Sequence, residues 1–208
     1  MNQYLEDLII SYPELKSVKN AVFKAYLMLK HSYENQGKLL LAGNGGSAAD
    51  CEHIVGELMK GFVSKRTLSQ SSKHRLEMAG DNGYLGQYLQ GALPAISLVS
   101  HSALMTAFSN DVAPDLVFAQ QVYGYGNPED VFLGISTSGN SKNIVEAMVV
   151  AKSLGLKTIA LTGNSGGKLK EIADVIINVP YEETYKIQER HLPVYHTLCL
   201  MLEEEFFE

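Results

Sequence analysis

The sequence predicts an α/β fold: a doubly wound parallel sheet with helices on both faces, preceded by a long N-terminal helix. Three observations carry this expectation. Short, continuously apolar runs recur along the chain, helix-period stretches fall between them, and Gly- or Ser-rich turns join the two kinds of segment. Strands buried on both faces read as unbroken apolar runs, and alternating β and α segments imply a parallel sheet. The chain has 208 residues, 46% of them hydrophobic and 19% charged, which sets wholesale disorder aside. A single domain over 1–208, large enough to bury its own core, is expected.

Residues 3–35 read as helical, with Leu15, Val18, Val22, Tyr26 and Leu29 at spacings of three and four on one face. Ser11 and Glu14 resemble a capping box, with Pro13 tolerated in a first turn, so a break near Ser11 is expected. Such a helix can cover the sheet or pair with another subunit. Segment 1–36 is assigned to oligomerisation, its apolar face buried between subunits. The strands follow as LLLAG (39–43), AISLVS (95–100), VFLGIS (131–136), KTIALTG (157–163) and VIINVP (175–180). Helices are expected over 48–62, 102–108, 141–154, 168–173 and from 184 onward. Segment 63–90, rich in Ser, Lys, Gly and Gln, reads as an insertion, partly loop, with a short helix around 84–89. Loops of that length are often functional.

With 17 basic and 23 acidic side chains the formal net charge is −6, which argues against a chain that wraps nucleic acid by its net field. Cys51 and Cys199 fall in predicted helices without metal-type spacing, and read as buried thiols of a reducing compartment. No apolar run approaches the ~18 residues of a membrane span. The N-terminus carries acids where a signal peptide needs bases, so a cytoplasmic location is expected.

Two turns invite an anion. The strand 39–43 runs into Gly43-Asn44-Gly45-Gly46-Ser47-Ala48 and then a helix, presenting free backbone N–H groups at the positive end of the helix dipole. It lacks the full dinucleotide glycine spacing and the lysine of a P-loop, so alone it is equally a tight turn. The strand 131–136 delivers Ser136-Thr137-Ser138-Gly139-Asn140-Ser141 to another helix start. Four hydroxyls beside free N–H donors suit a phosphate monoester, whereas a helix N-cap needs only one.

The motifs GNGGSAAD, FSNDV, GISTSGNS and IQERH with its following His resemble the sugar isomerase (SIS) domain, and more closely the phosphoheptose isomerase family. The serine motif alone is shared by SIS proteins generally and implies only a phosphosugar. The resemblance implies an SIS-type fold and interconversion of sedoheptulose 7-phosphate with D-glycero-D-manno-heptose 7-phosphate through an enediol. It implies Glu57 as the proton-abstracting base, His196 as the second acid/base and Gln188 as an amide that contacts substrate or metal. Asn44, Gly45, Gly46 and Ser47 would then hold sugar hydroxyls, Ser136, Thr137, Ser138 and Ser141 the phosphate, and Asn110 and Asp111 the sugar. Some family members bind zinc through residues matching His53, Glu57, Gln188 and His196, so Zn2+ is a candidate here and no organic cofactor is expected. A homotetramer with sites between subunits is implied, with no direct nucleic-acid partner and no membrane.

The residues themselves are compatible with those roles. His53 and Glu57 are four apart and so share a helix face, among apolar Ile54, Val55 and Leu58. Gln188 and His196, two turns apart, can address one cavity if Pro193 bends their helix. His31, His74, His101 and His191 read as structural. Two positions depart from the family: Tyr185 stands where an Asp is common three before the Gln, and Gly61, beside Lys60, where a base is common four after Glu57. The insertion also brings Lys65, Arg66, Lys73 and Arg75, so the substrate shell is altered. Two rival readings stay open: a non-catalytic SIS module that senses a phosphosugar or binds a replication initiator, and an isomerase for another phosphosugar.

Overall fold

The computed structural model of the chain describes residues 2–208. Five parallel strands, β1 (Leu39–Gly43), β2 (Ala95–Ser97), β3 (Val131–Ile135), β4 (Lys157–Thr162) and β5 (Val175–Asn178), form one sheet in the order β2-β1-β3-β4-β5. Successive side chains of β1 serve opposite cores. Leu39 and Leu41 join the cluster on one face, while Leu40 and Ala42 join the cluster on the other. That is why this strand is apolar throughout.

Helices α1 (Gln3–Ser11), α2 (Lys19–Glu34), α3 (Gly46–Met59) and the long C-terminal helix Thr184–Phe207 cover the first face. Between them the chain forms α4 (Gln70–Met78), α5 (Tyr84–Tyr88), α6 (Ser102–Asp111), α7 (Val117–Tyr125), α8 (Lys142–Ser153) and α9 (Leu169–Ile172), so the C-terminal helix is α10. Helices α7 and α8 pack the second face through Val117, Phe118, Ile144 and Met148. Asp130 ties the two central strands at their entry: it accepts from Lys38 N at 2.9 Å and from Asn127 N at 2.8 Å.

Four sequence expectations are corrected. The apolar stripe Leu15, Val18, Val22, Tyr26 and Leu29 is buried inside this chain, in the core shared with β3, β5 and α10, so it does not call for a subunit interface. Ser11 and Glu14 form no capping box. Ser11 ends α1, whose N-cap is Asn2, and a 3-10 turn over Pro13–Val18 follows. Segment 63–90 is more ordered than its composition suggests. Its α4 has no buried residue, so there was no apolar stripe to read, and Ser69 caps it by accepting from Ser72 N. Helix α7 went unrecognised because its residues are apolar on nearly every side; five of its nine are buried. The short helix near 84–89 is present as α5. Cys51 and Cys199 are free and buried.

His191, on α10, is fully buried; its Nε2 lies 3.3 Å from the Thr162 carbonyl oxygen, which can only accept, so that nitrogen carries the proton. Burial pushes this imidazole down to about 4. The unfolded chain therefore binds a proton there between its ordinary value near ~6.5 and about 4 that the folded chain refuses. The resulting stability is complete above the unfolded value and is lost as pH falls toward the folded one. Urea unfolding at pH 7 and pH 4.5 should show a loss of roughly 2–3 kcal/mol from this group. His191→Gln, which can still donate to Thr162, should lose less by about that amount; an identical pH slope would acquit His191.

Candidate active site

The strand order reverses direction between β1 and β3, and ligands of open α/β sheets sit in the crevice at such a point, at the carboxyl ends of the strands. Both glycine- and serine-rich turns lie there. They are tied by a reciprocal amide pair: Asn44 Nδ2 donates to Asn143 Oδ1 at 3.0 Å, and Asn143 Nδ2 to Asn44 Oδ1 at 2.9 Å. Gly46 opens α3, and a Cβ added there would stand 2.5 Å from Gln188 Nε2. Only glycine lets the Gln188 amide close on this helix start.

In the second turn Ser141 occupies the N-cap position of α8, yet its side chain makes no capping bond. Its Oγ lies 3.0 Å from Ser136 Oγ. Ser138 Oγ accepts from Asn140 N at 3.1 Å, and the Asn140 side chain bonds Ser138 O and Lys168 N, fixing the loop. Gly139 has φ +66°, and a Cβ on it would meet Gly166 O at 2.0 Å, so no other residue fits. An open cavity of about 300 Å³ adjoins the loop, lined by Thr137, Ser138, Asn140, Asn164, Tyr181 and Glu182 among others. Asn164, Tyr181 and Glu182 come from the segments after β4 and β5, and nothing in their local sequence marks them as site residues.

The acid–base candidates form a separate cluster further along α3 and α10. His53 Nε2 lies 3.2 Å from Glu57 Oε1, and the Glu57 side chain is 13% exposed. The His53 and His196 rings stand edge to face with centroids 5.0 Å apart, and Phe62 packs on His196 at 5.3 Å. Burial lowers the His196 pKa, with His53 adding to the effect and Glu57 opposing it, so the ring is neutral at neutral pH. Its Nε2 is buried without a partner among the described residues. Two groups absent from the sequence reading complete the cluster. Tyr195 OH lies 3.0 Å from His53 Nδ1 and 3.2 Å from Asp50 Oδ1, and burial raises the Asp50 carboxyl. Asp50 stands three before His53 on the same helix, a spacing that could have flagged it. Lys60 Nζ reaches Glu57 Oε2 at 3.1 Å, so a cation meets the base from the position beside Gly61.

Gln188 and His196 do not address one cavity within a chain. Eight residues of helix separate them by about 12 Å along the axis, and the Gln188 amide lies against Gly46 at the start of α3 while the His196 ring lies against His53. The four-residue zinc set therefore does not converge in one chain. Among the described residues no group of three or more His, Cys, Asp or Glu could hold a metal ion. The donors of a single chain do not fit zinc, and no step below is routed through it. Asn110 and Asp111 end α6 rather than forming a turn; they bond each other at 2.8 Å, are exposed, and do not line the serine-loop cavity. Tyr185 is exposed at the start of α10, and Arg66 is buried rather than part of a substrate shell.

The SIS domain family matches residues 71–163, a stretch that contains the hydroxyl-rich loop at the switch point of the sheet. Likeness to known proteins extends beyond that stretch. A phosphoheptose isomerase of Helicobacter pylori (strain P12) is 40% identical over 192 residues, 92% of this chain and 88% of that one. A probable phosphoheptose isomerase of Thermoplasma acidophilum is 42% identical over 169 residues, 81% of this chain and 80% of that one. The solved structure of a phosphoheptose isomerase from Francisella tularensis superposes with a TM-score of 0.78 at 32% identity, covering 98% of this chain and 96% of that one. The chain belongs to the phosphoheptose isomerase family, and is an isomerase. Among the described residues no helix is long and apolar enough to cross a membrane.

If the hydroxyls of 136–141 receive the phosphate, Ser138→Ala and Ser141→Ala should each weaken binding of a phosphorylated sugar by ~1–3 kcal/mol, the cost of removing a hydrogen bond from a charged group. The measurement is KM for the phosphorylated sugar; unchanged KM in both variants would place the phosphate elsewhere.

Proposed function

We propose that the chain interconverts sedoheptulose 7-phosphate and D-glycero-D-manno-heptose 7-phosphate through an enediol. The observation that carries this reading is a largely buried carboxylate, Glu57, set 3.2 Å from His53 Nε2 beside a neutral His196. In the ketose-to-aldose direction Glu57 takes the proton from C1, and the C–H electron pair becomes the C1=C2 double bond. The C2 carbonyl oxygen gains a proton as this enediol forms. Glu57 then returns its proton to C2, while O1 gives up its own as the C1 carbonyl forms. His196 is the group assigned to the O1-to-O2 transfer, since a neutral imidazole can both accept and donate. The tyrosine–histidine contact orients His53, which in turn holds the Glu57 carboxylate.

A length argument supports a site shared between copies. Glu57 stands about 16 Å along α3 from Gly46, in the turn that the Asn44–Asn143 amide pair ties to the start of α8 beside the serine loop. Seven bonds separate the ketose carbonyl carbon from phosphorus, and at ordinary bond lengths they span roughly 9 Å when extended. This mismatch supports matching the serine loop of one copy with Glu57 and His196 of another, and the assembly proposed is a homotetramer with sites between subunits. Free, buried Cys51 and Cys199 fit a cytoplasmic location.

Two experiments test this reading. Glu57→Gln should still bind the phosphosugar but lose several orders of magnitude in kcat, because only the transition-state step is touched. The assay is coupled turnover over C5, C6 and C7 sugar phosphates. Near-normal turnover by the variant removes Glu57, and binding without turnover by the unmutated chain returns it to a sensing role. For the shared site, Glu57→Gln and Ser138→Asp should each be inactive alone. Subunits mixed at random should then regain about a quarter of full activity, the chance that both contributors to a site are intact. No recovery after verified subunit exchange would mean that each site belongs to one chain.

A further inference from the structure

Arg66 and Glu203 form the most completely buried ion pair among the described residues, with side chains 0% and 1% exposed. Arg66 Nε donates to Glu203 Oε1 at 2.6 Å, while Nη1 donates to the Leu58 carbonyl at 2.6 Å and Nη2 to the Glu57 carbonyl at 2.8 Å. The guanidinium thus caps the last turn of α3, the turn that carries Glu57. Carbonyls at a helix end otherwise lack partners. Glu203 accepts in addition from the backbone N–H groups of Phe62, Val63 and Ser64, at 2.7, 2.9 and 3.1 Å. That fixes the strip from which the Phe62 ring packs on His196. Glu203 itself lies on α10, two turns beyond His196. Arg66 holds φ +43°, a region that non-glycine residues seldom adopt and that persists only where surroundings over-determine it.

Resting on the isomerase reading above, we propose that Arg66 and Glu203 are positioning residues for the reaction: they lock the Glu57 turn of α3 and the Phe62 wall of His196 in one register. A buried ion pair is not an efficient way to gain stability, and well-packed apolar residues often do as well. This pair instead spends its hydrogen bonds on backbone groups of the two segments that bracket the acid–base cluster. A planar fork serves three acceptors at once, which a lysine ammonium on a flexible stem does not reproduce.

The deciding variants are Arg66→Lys, which keeps the charge, and Glu203→Gln, which keeps the shape. Each should lower kcat per folded molecule by roughly 10- to 100-fold, the scale of an ångström-sized misplacement. KM should stay within about threefold, since the serine loop is untouched. Val122→Ala, a core change in α7 on the opposite face of the sheet, serves as the comparison and should lower Tm without changing kcat per folded molecule. Amide exchange gives a readout independent of turnover: in Arg66→Lys the last turn of α3 and residues 62–64 should exchange faster while β1 and β3 stay protected. The proposal is overturned if both variants keep kcat within twofold and merely lower Tm as Val122→Ala does, or if exchange accelerates uniformly. An unmutated chain without turnover on any sugar phosphate overturns the isomerase reading and the catalytic role assigned here, and the exchange pattern then decides whether the pair still fixes these two segments.

Discussion

Five backbone registrations, from Leu39 with Val131 to Gly43 with Ile135, hold β1 against β3, and the position of the ligand crevice depends on that pairing. Because β2 lies on the far side of β1, the chain must leave β1 in one direction and resume in the other at β3. The turns after these two strands are thereby set side by side with no helix crossing above them. The Asn44–Asn143 amide pair can close only because the strands deliver those turns to the same edge. Had β4 taken the place of β3 beside β1, the glycine turn and the hydroxyl loop would be a strand apart, and neither would be more than a helix start.

Helices α3 and α10 turn this edge into a graded surface. Their contact begins where Gln188 closes on Gly46 and continues through His53 with Tyr195 and His196 to the buried Arg66–Glu203 pair. Anion-type chemistry sits at the N-terminal end of α3, where backbone N–H groups and the dipole favour negative charge. The Glu57 carboxylate sits near the opposite end, where the dipole is unfavourable to it and where Lys60 Nζ, at 3.1 Å, offsets that cost. One helix pair thus carries an anion-type end and a carboxylate end, about 16 Å apart along α3.

The continuous apolar runs determined the strands, because a parallel strand buried on both faces leaves no position for a polar side chain. The helix period determined that His53 and Glu57 point the same way, and the four hydroxyls of 136–141 were visible as a cluster at a strand-to-helix turn. These are local facts: each rests on residues within a few positions of one another. The family motifs were equally legible, since they lie in those same turns and helices.

What only the tertiary structure decided is ownership and distance. The stripe from Leu15 to Leu29 announced that it would be buried, but not that β3, β5 and α10 of its own chain would bury it. Gln188 and His196 looked able to meet in one cavity, yet the helix rise keeps them apart and each takes a different neighbour on α3. Asp50 with Tyr195, and Arg66 with Glu203, join positions more than a hundred residues apart. Periodicity fixes the face on which a side chain stands, because that is set by the dihedrals of its own turn. Which partner that face meets is set by the packing of whole elements, and no spacing along the chain encodes it.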